Sequence, residues 1–193
     1  MKRYYRLFSV TTETRSERND RLQKFFEFDP VIGFLVAVFD LEWTMRRAIV
    51  AASPCPTKII HEKFGRDRLC KWSVYKELWR DMVAKKRKDD FLRLNKIFEQ
   101  YAIKHGLNQR YFENLGNALK ERSRLVHGVS GCAKSKVIDE GFKMVLHASV
   151  AITEYVDEHC KRKMFQRIVR RAACNKCEDK SFCPKIIRRE GAK

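Results

Sequence analysis

Glycine and proline are scarce in this chain, at 8 and 4 of 193 residues. No stretch alternates polar and apolar residues between turn residues, which argues against a sandwich or barrel and leaves an all-α reading. Long hydrophobic runs are missing too. The longest, Val31 to Phe39, falls well short of the roughly 20 residues that cross a bilayer. Met1 to Val10 mixes basic residues with aromatics and lacks the apolar centre of a secretory leader. The 7 cysteines are an odd number, and Cys160, Cys174, Cys177 and Cys183 crowd toward one end. That distribution fits reduced thiols better than a disulfide scaffold, so a soluble, cytoplasmic protein without membrane association is expected. There is no internal repeat and no low-complexity segment.

Acidic residues are few beside basic ones. Lys and Arg total 42 against 24 Asp and Glu, a formal charge of +18 spread from Lys2 to Lys193. Such a field suits a polyanionic partner, and nucleic acid fits it better than an anionic membrane or a merely solvated surface. The length supports one core. Two regions are expected: a helical domain over 1–165 that includes a basic N-terminal arm, and a basic cysteine-rich tail over 166–193.

Ser16 to Phe28 reads as a short helix with Leu22, Phe25 and Phe26 on its apolar side. Asp29-Pro30 is a cap and first-turn proline for a long helix reaching about Ala52, ended by Pro54-Cys55-Pro56. Its first half is apolar nearly all round, which predicts a central position. Thr57 to Phe64 forms a further short helix. Trp72, Tyr75, Leu78, Trp79 and Val83 recur at helical spacing, which predicts core packing rather than an aromatic box for a cofactor. Lys85-Lys86-Arg87-Lys88 then leads to a helix over Asp89 to His105, ended by Gly106. Asn108 is placed to cap the next helix, on which Phe112, Leu115, Leu119, Arg122 and Val126 share a face. A last long helix starts near Val137 and runs into the 160s. His147 lies in its apolar pattern and reads as a core residue.

The segment Glu121-Arg122-Ser123-Arg124-Leu125-Val126-His127-Gly128 combines two side chains suited to phosphodiesters. Arginine is a permanently charged fork for phosphate, and histidine transfers protons near neutral pH. Arg122 falls on the packed side of its helix and therefore needs a partner for its charge. Residues five apart stand about 140° from each other on a straight helix, so Arg122 and His127 converge only if the helix bends or ends, or if two chains meet.

This segment resembles the Arg-x4-6-His signature of HEPN domains, small helical bundles many of which are ribonucleases. The resemblance spans about residues 29 to 160 and implies a HEPN-like bundle acting as a homodimer, with two motifs facing each other across one cleft. It implies metal-independent endoribonuclease chemistry: a ribose 2'-hydroxyl attacks the adjacent phosphate, with His127 transferring a proton and Arg122 stabilising the phosphate charge. Where the family usually has Asn or Asp, this chain has Ser123, a short hydrogen-bonding group. Asp40, Glu42, Arg46 and Arg47 resemble the polar positions on the first long helix of such domains. Glu42 is the expected partner of Arg122 and Asp40 the alternative, while Glu42 and Arg46 can also pair within their helix. A role as a toxin or in antiviral defence, with an antitoxin or activating partner, follows from the family alone. A non-catalytic RNA-binding or interaction module would keep the bundle and charge without cleavage. A metal or redox sensor would make the cysteines central instead.

Cys174-x2-Cys177-x5-Cys183-Pro184 is the second motif. The Cys-x2-Cys pair is a natural chelate, and structural zinc takes four ligands, so Cys160, or alternatively His159, is the expected fourth. Zinc is the expected ion. An iron-sulfur cluster is the second alternative, because the spacing also resembles the staple of some RecB-like nucleases, and metal-free thiols are the third. Either metal would be structural, with no cofactor required for catalysis. Lys85, Lys86, Arg87, Lys88, Arg170, Arg171, Arg188 and Arg189 are the candidate RNA-backbone contacts.

Overall fold

The computed structural model describes residues 14–65, 72–85, 93–127, 135–160 and 164. Among these there are helices and connections and no strand, so the all-α expectation holds. The helices are α1 (Arg15–Phe28), α2 (Pro30–Ala52), α3 (Thr57–Gly65), α4 (Trp72–Trp79), α5 (Leu94–Lys104), α6 (Leu115–His127) and α7 (Ser135–His159). The tail over 166–193 and the arm over 1–13 lie outside the described residues.

Local chemistry sets most of these boundaries. Thr14 caps α1 in a capping box: its hydroxyl accepts from the Glu17 backbone N–H, and the Glu17 carboxylate accepts from the Thr14 backbone. Those bonds hold Glu17 below the usual carboxylate range. Asp29 caps α2 by accepting from the backbone N–H groups of Val31 and Ile32 at 2.9 and 3.0 Å, with Pro30 in the first turn as expected. The end of α5 is a Schellman turn. Leu107 N–H donates to Ala102 O and Gly106 N–H to Ile103 O, with Gly106 at φ +66° where a side chain would be strained.

Two helices form the centre. The broadest packing is between α2 and α7, which run in the same direction. Phe34 lies against Gly141 near their starts, and Arg47, in the second half of α2, donates to the carbonyl of Met164, which follows the end of α7, at 2.8 Å. Phe34, Leu41, Met45 and Ile49 of α2 are buried against Phe142, Val145, Ile152 and Val156 of α7. α1 turns back along α2, and their crossing is so close that a Cβ on Gly33 would overlap the Phe26 backbone.

The aromatic series on α4 is core, as its spacing predicts: Tyr75, Trp79 and Val83 are buried. Regular helix ends at Trp79, however, and Arg80–Ala84 continue as a π-helical turn. That turn keeps Met82, Val83 and Ala84 buried, and the Met82 carbonyl accepts from Ser53 Oγ at 2.9 Å. Other expectations shift. α5 begins at Leu94 instead of Asp89, and 86–92 lie outside the described residues. Asn108 caps only a run of tight turns, with its Oδ1 accepting from Arg110 N–H. Regular α6 starts at Leu115 because the bonds before it span three residues instead of four.

Candidate active site

α6 is amphipathic, with Leu115 and Ala118 buried and Leu119 and Leu125 packed against the core. This periodicity brings Arg122 to the side facing α2, as the sequence predicts. Val126 also follows the pattern but is 53% exposed. Ser123 is one position round the helix and exposed. The backbone of His127 closes α6, while its imidazole lies outside the described residues.

The Arg122 guanidinium stands 5.0 Å above the centroid of the Phe39 ring. Its Nε is buried without a hydrogen-bond partner. The charge is felt by Glu42, one turn along α2 from Phe39. Burial pushes the Glu42 carboxyl above its usual range, and the opposing pull of Arg122 and then Arg46 does not overcome it. Neither Glu42 nor Arg122 makes an ion pair within 4 Å or a hydrogen bond among the described residues. The two sit close enough to influence each other without being locked together.

Arg46 belongs to the same surroundings through a different contact. Its Nε donates to Tyr75 Oη at 3.0 Å, and its guanidinium stacks 5.5 Å from the Phe64 ring. α4 therefore fixes a second cation near Glu42.

Asp40 does not join this group. It is buried on another side of α2, where it accepts from Arg15 Nη1 at 2.7 Å and Arg18 Nη1 at 3.0 Å. The expectation that Asp40 could serve Arg122 is thus corrected: it lies two positions before Glu42, which turns its side chain about 200° around the helix from that of Glu42. Trp43 completes the α1 contact, with Arg18 and Arg47 stacked 4.3 and 4.5 Å from its ring.

Phe39 and Tyr75 are the neighbours that sequence reasoning did not single out. Phe39 was hidden inside a continuous apolar run, where its 40% exposure has no periodic signal. Tyr75 was recognised as core, but its hydroxyl bond to Arg46 depends on packing across helices.

The metal-site residues Cys174, Cys177 and Cys183 lie outside the described residues. Cys160 is buried and packed into the apolar core. His159 Nδ1 donates to the Tyr155 carbonyl at 3.1 Å. No group of three or more His, Cys, Asp or Glu is placed to hold a metal among the described residues. Of the candidate RNA contacts, Lys85 is exposed and pairs with Asp81 at 3.1 Å. Lys86, Arg87, Lys88, Arg170, Arg171, Arg188 and Arg189 lie outside the described residues. No described helix is long and apolar enough to cross a membrane.

No family model matches the chain, and no match is found among curated proteins or solved structures.

Proposed function

We propose that this protein is a HEPN-type, metal-independent endoribonuclease that works as a homodimer. The observation that carries the reading is Arg122, partly buried on the Phe39 ring with no acceptor for its Nε. A guanidinium kept out of bulk water without a fixed partner is suited to an oxyanion, which would use its donors in paired geometry. The charge of +18 favours a polyanion as the source of that oxyanion. His127, five residues on, supplies the proton-transfer group.

In this reaction the 2'-hydroxyl attacks phosphorus and the 5'-oxygen leaves, giving a cyclic phosphate. Arg122 stabilises charge on the non-bridging oxygens and His127 moves a proton. DNA lacks the nucleophile and is not cleaved. Exposed apolar side chains support self-association on this side: Ile32 and Phe39 are seven residues apart on α2, and Val126 is one turn from Arg122. A two-fold contact here brings a second Arg122 and His127 to the same cleft. The basic tail, held by zinc or an iron-sulfur cluster, adds phosphate contacts. A role as a toxin or antiviral effector remains part of the family analogy.

The test is cleavage of single-stranded RNA in excess chelator by wild type, Arg122→Ala and His127→Ala, with the product ends identified. Cleavage by wild type alone, leaving cyclic phosphates, is expected. Full activity of His127→Ala would refute the assigned site. Intact RNA binding without cleavage by wild type would instead identify a non-catalytic binding module.

A further inference from the structure

The half-buried carboxyl of Glu42 has no bonded partner among the described residues, although the charges of two arginines act on it. Arg122 approaches from α6, and Arg46 from the next turn of α2 is held to Tyr75 of α4. The exposed Phe39 ring lies one turn before it. An ordinary supporting carboxylate would form a close ion pair with the arginine it orients. Glu42 leaves its oxygens available instead.

We infer that Glu42 is a catalytic residue of this site, the general base that accepts the proton of the attacking 2'-hydroxyl. This role rests on the ribonuclease reading and deepens it. As the 2'-oxygen forms its bond to phosphorus, the 2'-hydroxyl proton passes to the Glu42 carboxylate. The bond from phosphorus to the 5'-oxygen breaks with its electron pair on that oxygen, which takes a proton from the His127 imidazolium. The products are a 2',3'-cyclic phosphate and a 5'-hydroxyl, and Glu42 and His127 regain their starting states by exchange with water. Burial raises the Glu42 carboxyl and makes it a stronger base, while the pull of Arg122 and then Arg46 opposes that rise.

The experiment compares wild type, Glu42→Gln and Glu42→Asp for RNA cleavage across pH 4.5 to 8, and for thermal stability. Glu42→Gln is expected to lower kcat by about a hundredfold or more, with little change in KM and with the acidic limb of the profile lost. Glu42→Asp should restore part of the rate and the limb. Because the folded carboxyl is raised above 4.5, its ionisation costs stability at neutral pH. Glu42→Gln should therefore be at least as stable as wild type at pH 7. A Gln variant that keeps kcat within about threefold, with its acidic limb, overturns the catalytic role while leaving the ribonuclease reading intact. A Gln variant that is inactive and also clearly less stable at pH 7 assigns Glu42 to support of Arg122 instead. A wild type that cleaves no RNA overturns the ribonuclease reading, and this role with it.

Discussion

Arg122 of α6 and Phe39 of α2 join two helices through a guanidinium stacked 5.0 Å from a ring. The ring is 40% exposed, so the contact lies at the edge of the core, where a cation–π interaction is worth about 0.5–1 kcal/mol. Phe39→Leu should keep the fold but loosen Arg122, which on the proposed ribonuclease function lowers kcat for RNA by about two- to fivefold. Phe39→Tyr should restore the rate. An unchanged kcat in Phe39→Leu would show that the ring does not position the cation.

Asp40 is 1% exposed, as is Arg18, and it accepts from two guanidiniums. Removing one member of a buried charge pair costs about 3–5 kcal/mol, because the remaining charge is left without compensation. Asp40→Ala should therefore lose about that much stability in urea unfolding, and added salt should not abolish the difference. A loss below about 1 kcal/mol would mean that the contact behaves as a surface pair.

The close crossing of α1 and α2 gives Gly33 a steric role. A Cβ there meets the Phe26 backbone, so Gly33→Ala cannot be relieved by a rotamer change. The better helix propensity of Ala is worth at most about 1 kcal/mol, less than the overpacking. Gly33→Ala is expected to lower stability by about 1–3 kcal/mol, a fall in Tm of roughly 2–12 °C for a chain of this size. Calorimetry showing a raised Tm would disprove the close approach.

His147 is expected to contribute to acid sensitivity. Its Nδ1 is buried without a partner, and its ring lies 5.4 Å from Tyr111 and 6.1 Å from Tyr101. Burial, followed by repulsion from His105, depresses its pKa below 6.5. His105 in turn faces Glu154 at 3.4 Å, and Glu154 pairs with Lys104 at 2.9 Å. Since the unfolded chain takes up the proton first, this contribution to stability is present above about 6.5 and is lost as pH falls toward the lower folded value. His147→Phe should flatten the decline in Tm between pH 7 and 5. An identical decline in both proteins would place the acid sensitivity elsewhere.

Much of the scaffold was legible because its signals are local. Asp29-Pro30 started α2, Pro54 marked where it stops, and Gly106 closed α5 through a left-handed turn that needs no partner from elsewhere. The α4 aromatics were assigned to the core from spacing alone. The π-helical turn at Arg80–Ala84 carried no such signal. It preserves the burial of Met82, Val83 and Ala84 beside Ser53, a demand made by a neighbouring segment rather than by its own residues.

The candidate site divides in the same way. Composition and periodicity alone determined a helical, basic chain, and they put Arg122 on the inward side of its helix, because helical phase depends only on sequence spacing. Tertiary structure decided which acidic residue feels its charge. Asp40 and Glu42 are equivalent by composition and lie two residues apart, but helical rotation turns one toward Arg15 and Arg18 and the other toward Arg122. The exposure of Phe39 and the burial of Glu42 likewise depend on where α1, α6 and α7 cover α2, since desolvation comes from atoms distant in the chain.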